Sequence, residues 1–257
     1  NNIQDGQAAL GLLSEFTDPT CVVLKHMNPC GVASADSISQ AFKRAYEADP
    51  ISIFGGIVAF NGEVDADTAQ DLHTLFLEVI LAPSYTQEAL DILTKKKNLR
   101  VMTFIQGPQT VDQNAIKIPG GLLVQDMDIT PNADWTTPTI TTSNSDDLEF
   151  AQKIVKHVKS NAIVLVKDKQ TVGIGAGQMN RVGAALIACE QAQEKAKGSV
   201  VGSDAFFPMR DTVDLLATYG VSAIVQPGGS LKDQDSIDAC NEHGIAMIFT
   251  STRHFKH

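Results

Sequence analysis

The chain has 257 residues, of which 43% are hydrophobic, 19% charged and 6% aromatic. That is a globular composition, with too much apolar material for a disordered chain. Twenty basic against 30 acidic residues give a net charge of −10, and so acidic a surface repels phosphate backbones, which excludes general DNA or RNA binding. No stretch approaches the ~20 apolar residues of a spanning helix, so no membrane partner is expected. The charge is uneven: residues 1–128 carry 8 basic and 16 acidic groups (−8), residues 129–257 carry 12 and 14 (−2).

The four cysteines, Cys21, Cys30, Cys189 and Cys240, form no C-x-x-C pair. They are expected to be free thiols in a cytoplasmic protein. The chain opens Asn1-Asn2-Ile3-Gln4 without Met, which gives the expectation of a longer protein.

In chain order, a strand is predicted over 21–25 and a helix over 37–48, with Ile38, Ala41, Phe42, Ala45 and Tyr46 on one face. Ser37 or Asp36 would cap it. Strands follow over 57–60, 78–82 and 99–105, separated by helices over 65–76 and 86–94. Thr, Pro, Asn and Asp then dominate, and residues 127–145 read as a linker. Beyond it come a helix over 146–158, strands over 162–166 and 171–174, and a long helix over 180–196. Strands over 199–202, 222–225 and 246–249 alternate with helices over 211–219 and 234–242. Such alternation implies a sheet covered by helices.

The halves share a spacing. Phe60 to Pro83 is 23 residues and Phe206 to Pro227 is 21; from those prolines to Met102 and Met247 is 19 and 20. The fold class is therefore α/β, in two tandem, duplicated α/β/α units over residues 1–126 and 146–257. Two such units commonly hold a site between them.

The chemistry concentrates at turns. Lys25-His26-Met27-Asn28-Pro29-Cys30-Gly31 follows a strand and sets a cation beside a group that accepts protons near neutral pH. Its Pro and Gly would also explain a plain turn. Phe54-Gly55-Gly56 allows close backbone approach by a ligand, or marks a tight turn. Gly173-Ile174-Gly175-Ala176-Gly177 lacks the third glycine of a dinucleotide loop, since Gln178 stands there, and reads as a flexible loop before Asn180-Arg181. Helix-start amides there could meet an anion. Phe206-Phe207-Pro208 must pack on something or face a ligand. Arg253-His254-Phe255-Lys256-His257 is a basic tail in an acidic chain. Pro29-Cys30 matches half of a zinc-deaminase motif, but H-x-E and the second Cys are missing, so no metal is expected.

Taken in order, KHMNPCG, FGGIVAFN, EVILAP, SNAIVLVKD, GIGAGQMNR, SDAFFPMRD and RHFKH resemble the transformylase part of the bifunctional AICAR transformylase/IMP cyclohydrolase family across the whole chain. The resemblance implies tandem cytidine-deaminase-like units without zinc. It also implies formyl transfer from the co-substrate 10-formyltetrahydrofolate to the 5-amino group of AICAR, in purine biosynthesis. By this resemblance His26 is the proton acceptor and Lys25 the transition-state stabiliser. Gly55, Glu78, Asn161, Arg181, Phe206 and Arg253 would contact AICAR, and Val182, Asp211, Ser230 and Leu231 the folate. A homodimer with a shared site is implied, and a monovalent cation under the C-terminal segment is left open. The cyclohydrolase domain and an early Arg-Tyr pair for the substrate phosphate are expected to lie outside this chain. The alternative is a non-catalytic folate- or ribotide-binding, or dimerisation, half.

Overall fold

Side-chain caps set several of the helix starts, the first of them the cap the sequence predicts. Ser37 Oγ accepts from Gln40 N at 3.3 Å, Asp65 from Thr68 N at 2.8 Å, Thr86 from Ala89 N at 3.2 Å and Asn180 from Gly183 N at 2.7 Å. Each satisfies an amide that the first helical turn leaves unpaired.

The structure, a computed structural model, describes residues 1–105, 113–128, 135–143 and 145–257. The first half runs α1 (Asn2–Leu13), β1 (Thr20–Lys25), β2 (Asn28–Ser34), α2 (Ile38–Ala48), β3 (Gly56–Phe60), α3 (Ala66–Thr74), β4 (Leu77–Ala82), α4 (Gln87–Leu93), β5 (Arg100–Thr103), β6 (Gln113–Ile118) and β7 (Gly121–Asp126). The second runs α5 (Asp146–Val155), β8 (Ile163–Lys167), β9 (Gln170–Gly175), α6 (Arg181–Ala192), β10 (Val200–Ser203), α7 (Asp211–Thr218), β11 (Ala223–Gln226), α8 (Asp233–His243) and β12 (Ala246–Phe249).

Among the described residues ten strands make one sheet in the order β12-β11-β10-β8-β9-β2-β1-β3-β4-β5, and β6 pairs with β7 in a second. The sheet is mixed. β1 lies antiparallel to β2 and β3, and β8 antiparallel to β9 and β10. β3-β4-β5 and β10-β11-β12 are parallel. The halves join edge to edge where Ala33 on β2 faces Gln170 on β9. The succession strand, strand, helix, strand, helix, strand, helix, strand of residues 20–103 recurs over 163–249.

Apolar side chains cover both faces of this sheet. Under α1 and α5 one cluster crosses the joint, from Val22, Leu24 and Ile57 to Val164, Val200 and Ile248. On the other face the halves keep separate clusters, around Phe42, Phe60 and Ile80 and around Ala188, Phe207 and Ile224.

Three expectations change. Gly173 and Gly175 do not belong to a flexible loop: they lie in β9, where a Cβ would stand 1.9 Å from the carbonyl oxygens of Ala188 and Ala184 in α6. They are glycine because the helix sits directly on the strand. The Lys25–Gly31 segment is a β-hairpin and not a strand-to-helix turn, with His26 (φ 54°) and Met27 (φ 63°) both left-handed. Of the expected linker, residues 129–134 and 144 lie outside the described residues; Thr136 pairs antiparallel with Phe249, carrying the chain across the outer edge of β12. The sequence reading also missed α1 and the β6–β7 hairpin.

Candidate functional site

One end of the sheet gathers the chemistry. β1 ends at Lys25, and β3 begins beside it, with Leu24 opposite Ile57. β4 and β5, parallel to β3, start at that same end. In the second half Ile163, the first residue of β8, faces Gly175 and Ser203, the last residues of β9 and β10. Because β2 and β9 run antiparallel, the starts of β3–β5 and the ends of β10–β12 share one end of the sheet.

The first-half residues are close to one another. Lys25 Nζ donates to Phe54 O at 2.8 Å. Gly55 takes φ +70° and its amide donates to Phe76 O at 2.8 Å. The rings of Phe54 and Phe76 stack at 5.0 Å between centroids. Glu78 pairs with Arg100 at 2.9 Å and accepts from Asn2 Nδ2 at 3.4 Å. His26 is exposed at the hairpin tip.

The second-half residues converge on a buried ion pair that sequence reasoning missed. Arg181, 5% exposed, donates to the fully buried Asp204 carboxylate and, at 3.0 Å, to Ala162 O. Its Nη2 donates to Asn161 Oδ1 at 2.9 Å, while Asn161 Nδ2 donates to Gln178 O at 2.8 Å. Asp204 also accepts from the Ser160 hydroxyl and from Ala162 N at 3.1 Å. The first half has a parallel to it: Asn61, the residue after β3, accepts from Thr20 N at 2.8 Å in the register in which Asp204, the residue after β10, accepts from Ala162 N. Arg181 therefore touches Asn161 and Asp204 rather than standing open to solvent.

Phe206 and Phe207 divide their work, the second fully buried in the core and the first 37% exposed. Arg253 is exposed with its guanidinium 4.6 Å over the Phe255 ring. The tail is anchored: His254 is 2% exposed, its Nδ1 lies 2.6 Å from Asp128, and its amide donates to Asp204 O at 2.9 Å. Val182 and Asp211 stand at the starts of α6 and α7, and Ser230 and the exposed Leu231 follow β11, all at this end.

Of the hydrogen bonds that join the halves, two strap the turn. Lys159 N donates to Asn28 Oδ1 at 2.9 Å, and Lys256 Nζ reaches Met27 O at 3.4 Å. They set the Lys25–His26 turn against the segment that carries Asn161. Glu78 and Phe206 are not brought together. Six strand steps separate β4 from β10, roughly 29 Å at ~4.8 Å each. Cys30, beside the turn, is no nucleophile: burial, with Asp49 nearby, pushes its thiol up to about 12, far from thiolate at neutral pH. Among the described residues no group of three His, Cys, Asp or Glu could hold a metal, and no helix is long and apolar enough to cross a membrane.

Fold and site together define an α/β protein that presents a Lys–His turn, an oriented amide and an open aromatic at one sheet end. The family model described as AICARFT/IMPCHase bienzyme matches residues 1–191. The Bifunctional purine biosynthesis protein PurH of Bacillus subtilis (strain 168) is 57% identical over 100% of this chain and 51% of its own length. Its namesake in Lysinibacillus sphaericus (strain C3-41) is 58% identical over 100% and 52%. The chain belongs to the AICARFT/IMPCHase bienzyme family, and spans about half the length of the curated relatives it matches. A solved structure, Acinetobacter baumannii RibD in form 2, is similar over 40% of this chain and 33% of its own, at 20% identity and a TM-score of 0.30, too slight a likeness to carry an argument.

Proposed function

We propose that this chain carries out AICAR formyl transfer, passing the formyl group of 10-formyltetrahydrofolate to the 5-amino group of AICAR. The observation that carries the reading is the Lys25–His26 turn strapped against the Asn161 segment. An aromatic amine is a poor nucleophile, so His26 takes its proton as nitrogen attacks the formyl carbon. Negative charge gathers on the formyl oxygen, where Lys25 stabilises it. An ammonium has three N–H donors, so the bond to Phe54 O leaves two for this task. The bond from carbon to the folate nitrogen then breaks, that nitrogen recovers the proton, and the products are the formamido ribotide and tetrahydrofolate.

Gly55, Glu78, Asn161, Phe206 and Arg253 are the proposed ribotide contacts. Phe206 offers a planar face to the imidazole and Arg253 a fork for an anionic or amide group. Arg181 acts through Asn161, whose amide it orients. Val182, Asp211, Ser230 and Leu231 would receive the folate. We further propose two duplicated units of cytidine-deaminase-like fold, 1–126 and 146–257, supported by the recurring element order. A monovalent cation under the C-terminal segment belongs to the same reading. The buried Asp204 carboxylate is not a free donor for it, because the Arg181 guanidinium, the Ala162 amide and the Ser160 hydroxyl already occupy its oxygens. Four free thiols suit the reducing cytoplasm we propose for it.

The site is proposed to be shared in a homodimer, because one ribotide cannot span the gap from Glu78 to Phe206. A surface for that contact exists on the β6–β7 hairpin, whose Leu122, Leu123 and Val124 are 65%, 50% and 53% exposed. An apolar face so open favours association. The test is a formyl-transfer assay of the intact enzyme against His26→Ala. Loss of turnover with folding and ligand binding retained is expected; unchanged turnover would remove His26 as the proton acceptor, and a wild type that binds both ligands without turnover would leave the non-catalytic binding half as the reading.

A further inference from the structure

We infer that Lys256 is a positioning residue, holding the His26–Met27 turn in the conformation that serves transfer. The inference rests on the formyl-transfer reading. Both turn residues are left-handed, at φ 54° and 63°, a conformation that crowds any Cβ against the following carbonyl. A hairpin of Asn-Gly type would adopt it freely; His-Met does not. Something outside the turn must therefore hold it.

Lys256 is built for that. Its Nζ donates to Met27 O at 3.4 Å, across 229 residues of sequence, and to His157 O at 2.8 Å. Its backbone is clamped to Ser160, whose amide donates to Lys256 O at 2.9 Å while Ser160 Oγ accepts from Lys256 N at 3.3 Å. Ser160 is in turn bonded to Asp204, so the strap is rooted in the ion pair that orients Asn161. The ammonium is half-buried and, among the described residues, meets two carbonyls and no carboxylate. Burial without an opposite charge disfavours an ammonium, and it pulls this one below its ordinary value. A lysine placed only for stability would gain more on the surface. Here its donors fix the carbonyl of Met27, the second left-handed residue of the turn and the chain neighbour of His26.

The experiment uses the intact enzyme with Lys256→Met, which keeps the length of the side chain and removes the donors. Expected are a fall in kcat of about tenfold or more, as for a reacting group slightly displaced, and KM for both substrates within about twofold. Amide exchange at residues 26–28 should quicken, and Lys256→Arg should restore kcat to within about threefold. Unchanged kcat, a loss confined to KM, unchanged exchange in the turn, or an Arg variant no better than Met would each overturn the proposal. If Lys256→Met does not fold, Lys256→Leu, which also lacks donors, is measured against the same criteria. His26→Ala in the same assay separates the two readings: wild-type turnover there would fell the transfer mechanism, while turn exchange still decides the strap.

Discussion

Arg181 Nη2 donates to Asn161 Oδ1 at 2.9 Å, and the other end of its guanidinium holds the fully buried Asp204 carboxylate. The pair fixes which way the Asn161 amide faces, since Asn161 Nδ2 is bound in turn to Gln178 O. Breaking a buried pair by removing one partner strands the other charge, at a cost of about 3–5 kcal/mol. Asp204→Asn should lose about that much in chemical denaturation, and Arg181→Met a comparable amount. The double variant Arg181→Met with Asp204→Asn should lose less than the sum of those single changes. Additive losses would show that the two side chains do not act as a pair.

Close helix-on-strand packing makes a second prediction. A Cβ at Gly31 would stand 2.1 Å from Ala45 O in α2, and one at Gly173 1.9 Å from Ala188 O in α6. Backbone cannot yield as a side-chain tip can, so Gly31→Ala and Gly173→Ala should each cost about 3 kcal/mol. Gly121→Ala, with nothing within 4 Å, should be neutral in the same melts. A neutral Gly173→Ala would mean that α6 does not rest on β9 as described.

These glycines also show what sequence can and cannot reveal. The strands over 20–25, 56–60 and 246–249 and the capped helices were legible because apolar period and cap residue agree. β2 was not, because Asn28-Pro29-Cys30-Gly31 has the composition of a loop. Its Gly31 is there for helix contact, not for a turn. The hairpin tip was hidden for a related reason: His26 and Met27 carry none of the glycine or asparagine that normally marks left-handed turns. At the site, the Lys25–His26 pair and Phe206 were visible as adjacent residues of useful chemistry. Asp204 and Lys256 were not, because their partners lie 23 and 229 residues away in the chain.

Acid should loosen the joint between the halves through Glu15. Burial alone would raise its carboxyl, but the hydrogen bonds and charges of His157 and Lys156 overcome it and hold the group at about 2, against an ordinary 4.5. His157 is itself pushed toward its neutral form by burial, so at neutral pH the answering charge is the Lys156 ammonium, 2.9 Å away. Both folded values lie below their unfolded ones. Their stabilisation is whole above pH 6.5, falls first as His157 resists protonation, and falls again from 4.5 toward 2 as Glu15 is protonated. Glu15→Gln should lower stability at pH 7 by roughly 2 kcal/mol after solvent screening, and flatten the loss between pH 4.5 and 2. An unflattened curve in pH-dependent denaturation would show that Glu15 does not govern it.

The gap between Glu78 and Phe206 leads to a test of the shared site by mixing subunits. Glu78→Ala disables the first-half cluster and Phe206→Ala the second-half one, so each homodimer should be nearly inactive. If a site draws Glu78 from one chain and Phe206 from its partner, a mixed dimer has one site with both lesions and one with neither. Half of the dimers in an equal, fully exchanged mixture are mixed, so activity should recover to about a quarter of wild type. If instead both side chains serve a site within one chain, every site keeps a lesion and mixing restores nothing. Leu123→Asp, which places a charge on the exposed β6–β7 hairpin, should abolish the recovery together with the dimer in light scattering. Recovery that survives in a monomer would refute the shared site.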